Sequence, residues 1–262
     1  MHSLFNGDTI LRLSVIGIFV IAGIAGIASG YFKARKCQPK GFKWKQFRFE
    51  AMIAVITLIF GVLVLGNLQT WLKGHGWIVF KQEPAAWWVV VLEYAAYFLT
   101  FDTWFYWLHR WMHNEPYYKW IHKLHHKSTS PNLLTTLSVH PFESFINGGW
   151  MIIFVTLYSF VGGVHVASVA FIGATNQIMG LWVHSGYEFL PKWWNKTWLT
   201  KWFISATFHD HHHKYFNWNF GGYTTIWDRM CGTVHKNFER DFVRIKERPI
   251  RQQADAEAVP AE

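Results

Sequence analysis

Long apolar runs alternate with short polar, histidine-bearing segments along this chain. A helix needs about 20 mostly apolar residues to cross a bilayer. Residues 9–31 meet that length with one charged residue inside, Arg12. The run exceeds a signal-peptide core and has no basic stretch ahead of it, so it reads as a span. Residues 51–72 form a second run and 85–108 a third, which is rich in Trp and Tyr and holds Glu93 and Asp102. Residues 142–162 and 164–183 form a fourth and fifth, meeting at Gly162-Gly163. Paired glycines between apolar runs predict a tight turn, hence a helical hairpin or a partly re-entrant pair. The pattern predicts an all-α integral membrane protein with four to five transmembrane or re-entrant helices.

Composition agrees. Apolar residues make up 51% of the chain and charged residues only 16%, against roughly 25% in soluble domains. The formal charge of +9 suits either nucleic acid or an anionic membrane surface. With 17 Trp and these apolar runs, the membrane is the partner expected, and nucleic acid is not. Lys33, Arg35, Lys36, Lys40, Lys43, Lys45 and Arg48 crowd the link between the first two runs. By the positive-inside rule that link is cytoplasmic. Cys37 and Cys231 then also fall on the cytoplasmic side, where a disulfide is not expected.

This topology, drawn without reference to histidine, sorts the histidines. His109, His113, His122, His125, His126, His140, His184, His209, His212 and His213 fall on the cytoplasmic side. His2, His75 and His165 fall near the other, and His235 stands alone in the basic C-terminal region. Three clusters stand out: HRWMH at 109–113, HKLHH at 122–126 and HDHHH at 209–213. On a helix, positions i, i+3 and i+4 share a face. His109 therefore projects with His113, and His122 with His125 and His126. His209, His212 and His213 likewise project together, while His211 points elsewhere. The expected cap is a cytoplasmic helical layer carrying a histidine-rich dimetal site.

Imidazole suits Zn, Cu, Fe and Ni, and this many histidines exceed the four ligands of one structural zinc. Two metals with four or five ligands each would use the set, with His140 and His184 completing it. Two irons that activate O2 fit such a site, and two zincs are the alternative. Metal-bound histidine usually donates its second N–H to a carboxylate or carbonyl. Asp102, Glu143 and Asp210 are the acids expected in that supporting role, or else ordinary helix-end charges. Asp228 with Arg229 reads as a local ion pair or a helix cap.

The motifs HRWMH, YKWIHKLHH, VHPFE, HSGYEF, FHDHHH and NFGGYTTIWDRMCGT follow one another between Asp102 and Thr233. In this order they resemble the fatty acid hydroxylase/sterol desaturase superfamily. The resemblance implies a membrane di-iron oxidoreductase that hydroxylates or desaturates a lipid with O2 and electrons from a small carrier. Carried over by position, the ligands are His109, His113, His122, His125, His126, His209, His212 and His213, with His140 and His184 as extra ligands. HSGYEF and YKWIHKLHH resemble C4-methylsterol oxidases, NFGGYTTIWDR resembles C5-sterol desaturases, and HPFES is similar to sphingoid hydroxylases. A sterol is the first expectation, with a sphingoid base or fatty acyl chain as the alternative. His211 departs from the aromatic or aliphatic residue commoner at that position. No fused cytochrome b5 domain is expected within 262 residues. The donor is therefore a separate cytochrome b5-, ferredoxin- or flavoprotein-type carrier.

Three segments follow: membrane helices over 1–100, a catalytic region over 101–235, and a basic tail over 236–262 that is disordered from Arg251. Basic residues of the tail, such as Lys236, Arg240 and Arg244, either dock an acidic carrier or lipid headgroups, or are solvated. Trp104, Phe105, Trp107 and Trp111 line the lipid pocket or form an interfacial belt. The host membrane is a bacterial inner membrane or the endoplasmic reticulum. Two other classes compete: a zinc-dependent membrane hydrolase, and a metal-binding protein without chemistry. The second would carry polar residues deep along several helices, whereas these histidines cluster at helix ends.

Overall fold

The computed structural model describes residues 35–38 and 43–257. The run at 9–31 lies outside them. Four long helices make the body of the described part. Helix α1 (Trp44–Gly74) runs 31 residues with a π-helical stretch at Gly61–Gly66. Helix α2 is Trp87–Met112. A π-helical turn at Tyr118–His122 leads into the short α3, Lys123–His126. Helices α4 (Pro141–Ser159) and α5 (Val166–Val183) form the expected hairpin. Gly162 and Gly163 turn it with φ of 111° and 90°, and a Cβ on Gly163 would stand 2.7 Å from the Val79 carbonyl oxygen.

Two of these helices, α1 and α5, are long and apolar enough to cross a membrane by length and composition. Four to five were expected over the whole chain, and the run at 9–31 lies outside the described residues. Helix α2 draws much of its apolar character from Trp and Tyr, which weigh little on hydropathy, and it carries Glu93 and Asp102. Helix α4 is continuous, but Asn147-Gly148-Gly149 breaks its apolar run. Nor is the chain wholly helical: β1 (Phe80–Lys81) pairs in parallel with β2 (Val164–His165).

Apolar side chains face both inward and outward. Tyr97, Ile152, Phe154, Val155 and Ile172 pack the interior between α2, α4 and α5. Val55, Ile59, Val62 and Leu63 of α1, Leu92 and Leu99 of α2, and Phe171 and Ile178 of α5 stay exposed. A soluble protein rarely leaves so much apolar helix surface uncovered, and lipid covers it without cost.

The segment after α5 folds over the end of this bundle. It holds α6 (Ala206–Tyr215), α7 (Ile226–Met230) and α8 (Phe238–Glu257). Phe238, Phe242 and Ile245 of α8 lie at i, i+4 and i+7, one face of a helix. Phe238 and Phe242 pack with Phe208, and Ile245 packs with Ala206 and Cys37. The stretch expected as a tail is therefore folded in part. Helix α8 also runs through Arg251 to Glu257, against the expectation of disorder there, because Gln, Ala and Glu are strong helix formers.

Candidate metal centre

Helix α6 has few apolar residues to drive its formation, so its ends carry the burden. Ser205 caps it by accepting a hydrogen bond from the Phe208 N–H at 3.2 Å. Buried Glu188 accepts one from the Thr207 N–H at 2.9 Å. Phe216, at φ 61°, ends the helix. Every residue from Ala206 to His213 is buried. A helix of buried imidazoles is costly unless their nitrogens find partners.

The partners are other imidazoles. His109, His113, His122, His126 and His212 bring one ring nitrogen each to a common point, within 4.8 Å of one another. His125, His184, His209 and His213 do the same at a second point. The two groups adjoin, with the His126 and His213 ring centres 5.0 Å apart. Nine of the ten histidines singled out in the sequence are thus brought together. His140 is not: its Nδ1 accepts a hydrogen bond from the Phe142 N–H at 3.2 Å and caps α4. His211 faces away, with Nε2 3.4 Å from Asp241 Oδ2. His235 stacks on Tyr215.

A neutral imidazole has one N–H and one lone pair. His109 donates its Nδ1–H to the Phe220 carbonyl at 2.8 Å, and His122 donates its own to Glu143 Oε1 at 2.9 Å. With Glu143 ionised both Nε2 atoms are then bare, yet they face each other at 3.0 Å. In the second group His184 donates Nδ1–H to the Gly180 carbonyl at 2.9 Å, and its Nε2 stands 2.8 Å from that of His209. Opposed lone pairs, as at His109 and His122, repel unless a cation sits between them, whereas at His184 and His209 the His209 Nδ1 has no partner and its Nε2 can carry the proton instead. An ion about 2.1 Å from each nitrogen sets neighbouring ligands ~3.0 Å apart at right angles. In the first group His122 and His126 stand at 3.0 Å and His126 and His113 at 3.2 Å, Nε2 to Nε2. His212 Nε2 and both His213 nitrogens are buried with no hydrogen-bond partner. The donor set therefore fits two divalent ions of the kind imidazole prefers, iron and zinc among them.

Burial holds these rings neutral. It lowers His122, His125, His126, His209, His212 and His213 well below the ordinary histidine range, and neighbouring rings lower them further. His113 falls to about 2 and His184 to about 4, again through burial first. Unfolded histidine titrates near ~6.5. Below that pH the unfolded chain binds more protons than the folded one, so stability falls as pH falls. Protons also compete with metal for the same nitrogens. Between pH 8 and 7 metal content and melting temperature should hold steady, and between about 6.5 and 5 both should drop together. Elemental analysis after dialysis and thermal melts check this, and a flat profile to pH 5 would contradict it.

Of the three acids expected to support ligands, one does so directly: Glu143, through His122. Asp102 accepts hydrogen bonds from the Tyr223 and Thr224 N–H groups and the Thr224 hydroxyl at 2.5–3.0 Å. Asp210 accepts from Gln38 Nε2 at 2.8 Å. The sequence reading missed what Asp102 and Asp228 do together. Asp228 accepts from the Phe220 and Gly221 N–H groups and from the Thr233 hydroxyl at 2.7–2.9 Å. Burial outweighs those bonds and raises its carboxyl to about 6. The two acids pin a loop whose carbonyls orient imidazoles, Phe220 that of His109 and Trp218 that of His212 at 2.9 Å. A Cβ on Gly221 would run into the Thr224 carbonyl, so the tight loop needs glycine there. The signal was present in NFGGYTTIWDR, without the geometry to read it. Asp228→Ala should cost at least about 2 kcal/mol of stability, since it orphans buried N–H groups. Metal content should fall with it. A thermal melt unchanged from wild type would refute the pinning role.

A cavity of about 220 Å³ opens beside the histidines, lined by Phe101, Phe105, Met179, Val183 and Tyr223 among others. Of the flanking aromatics, Phe105 faces this cavity, Trp104 stacks on Trp150, and Trp107 and Trp111 are exposed.

Residues 94–233 match the family described as Fatty acid hydroxylase. The chain is 31% identical to methylsterol monooxygenase 1 of Gallus gallus over 184 residues, 66% of this chain and 54% of that protein. It is 34% identical to a methylsterol monooxygenase of Aspergillus fumigatus over 143 residues, 54% of this chain and 46% of that protein. It is 33% identical to a Delta(7)-sterol 5(6)-desaturase of Leptosphaeria maculans over 157 residues, 60% of this chain and 41% of that protein. The matched stretches thus span about half the length of these relatives. No solved structure matches the chain.

Proposed function

This chain belongs to the fatty acid hydroxylase family, and on that premise we propose that it is a membrane di-iron oxidoreductase acting on a sterol-type lipid. The observation that carries the reading is the pair of histidine groups, one ring nitrogen of each histidine turned inward, beside a cavity that apolar side chains share with them. Five histidines would hold one iron and four the other. When bound, the irons supply the activation of O2 needed to break an unactivated C–H bond. The chain does the rest. Glu143 and the Phe220, Trp218 and Gly180 carbonyls hold protons on Nδ1 and so keep Nε2 free for metal. Phe101, Phe105, Met179 and Val183 exclude water and seat an apolar substrate. The loop pinned by Asp102 and Asp228 closes one wall of that seat.

Sterol relatives favour a sterol over a plain acyl chain. Orientation follows from the basic residues, which put the metal groups on the cytoplasmic side. Glu93, bonded to His165 at 2.8 Å, marks the opposite end. Sixteen residues of α2 separate Glu93 from His109, ~24 Å at 1.5 Å per residue. Helices α2 and α4, with α1 and α5, complete the four described spans of this reading.

Electrons reach the site from a separate carrier. Lys214, Lys236, Arg240 and Arg244 stand exposed around α6 and α8, Arg240 also reaching Asp241 Oδ1 at 3.1 Å, and offer a cationic face to an acidic protein. Lys246 and Arg248 are engaged instead with the Glu188 and Lys36 carbonyls. Neutralising the exposed four should slow donor-driven turnover and spare peroxide-driven turnover, and no change in either would remove the docking face.

The test of the function is mass spectrometry of lipids from cells expressing the protein under ¹⁸O2, with His212→Ala as control. A sterol that gains labelled oxygen marks a hydroxylase or methyl oxidase, and one that loses two hydrogens marks a desaturase. A product formed equally without O2 would overturn the reading in favour of hydrolysis.

A further inference from the structure

Apart from its histidines, the cavity carries Thr136, Glu143, Asn147, Asn176 and Tyr223 as polar lining, and three of these have their partners within the protein. Asn176 donates from Nδ2 to the Tyr97 hydroxyl at 2.8 Å and accepts at Oδ1 from the Tyr223 hydroxyl. Thr136 donates to the Gly180 carbonyl at 2.9 Å. Asn147 differs. It lines the cavity, and its Oδ1 is sealed from solvent with no hydrogen-bond partner. Four residues earlier on α4, Glu143 spends Oε1 on His122 while its Oε2 is buried and unpaired. Residues four apart share a helix face, and one turn sets them ~6 Å apart along the axis. Buried acceptors without donors are costly, and here two of them stand on one cavity wall.

We propose that Asn147 recognises the substrate, accepting a hydrogen bond from a hydroxyl that the lipid carries close to the carbon oxidised. This rests on the lipid-oxidising function proposed above and assigns one residue to the hydroxyl of its substrate. The position carries the inference. Asn147 lies one turn from the acid that orients a metal-facing histidine, so a group held there is only a few bonds from the reacting carbon. A sterol with a free 3-hydroxyl and a reacting position on a neighbouring ring carbon offers both. A plain acyl chain offers only methylenes at that depth, and an ether or ester of the sterol has no proton to donate. The cavity is also smaller than the ~300–1,000 Å³ that encloses a whole drug-sized ligand. It takes one end of a lipid, and the rest stays in the bilayer.

The test uses detergent-solubilised, metal-loaded protein and two radiolabelled probes, a 4-methyl-3-hydroxysterol and its 3-deoxy analogue. Wild type should bind the hydroxysterol about ten- to a hundredfold more tightly, the range expected for one buried hydrogen bond. Asn147→Leu, similar in size and apolar, should bind both probes equally, with wild-type metal content. Asn147→Ala gives the same comparison should leucine disturb folding. Either variant keeping the wild-type preference would overturn the proposal, as would a wild type that does not discriminate. Turnover measured in parallel separates the two claims. Preference without oxidation sinks the proposed function and leaves Asn147 in place, whereas oxidation without preference does the reverse.

Discussion

Replacing His212 with alanine should reduce turnover below detection, while replacing its neighbour His211 should leave it largely intact. The two side chains share a buried helix and differ only in direction. His212 donates Nδ1–H to the Trp218 carbonyl and points Nε2, buried and unpaired, toward four other imidazoles. His211 points at Asp241 of α8 and His235 on its approach, and at Tyr215 one turn along its own helix. Alanine at 212 removes one of five inward nitrogens and should lower the metal content of the purified protein. Alanine at 211 removes a buried ring from the packing against α8 and should cost about 1–2 kcal/mol of stability. Equal loss of activity and metal in both variants would remove the directional distinction on which the two-group reading depends.

Glu143→Ala should weaken metal binding about ten- to a hundredfold, the usual effect of removing a group that orients a metal ligand. Without the carboxylate, His122 loses the acceptor that fixes its proton on Nδ1, and its Nε2 is no longer held bare. Glu143→Gln keeps an oxygen in place without the charge and should fall between wild type and alanine. Glu93→Gln is the control. It breaks a buried acid–histidine pair at the other end of α2, so it should lower stability without changing the metal affinity of what remains folded. Competitive chelator titration measures both, and a Glu143→Ala protein with wild-type affinity would exclude the orienting role.

Much of this site was legible because helical periodicity is local. Spacing alone put His209, His212 and His213 on one face and His211 on another, and hydropathy with charge put the clusters on one side. Partition between two groups was not legible. His122 and His126 join His109, while His125, between them in sequence, joins His184 and His213. That division is set by the crossing of α3, α5 and α6, a tertiary fact. His140 misled for a related reason: a histidine before proline at a helix start reads as a ligand or a cap, and only the fold decides. The carbonyls of Phe220 and Trp218 carry no side-chain signature, so the loop's role surfaced only in three dimensions. The apolar runs were legible for position, whereas length and hydropathy alone do not mark aromatic-rich α2, or α4 with its Asn147-Gly148-Gly149, as spans.

Elemental analysis of the protein purified without added metal, with iron and zinc counted per chain, tests the central claim most directly. Two irons per chain in wild type, and fewer in His212→Ala, is the expected result. Two zincs with undiminished lipid oxidation, or a single ion of either kind, would contradict it.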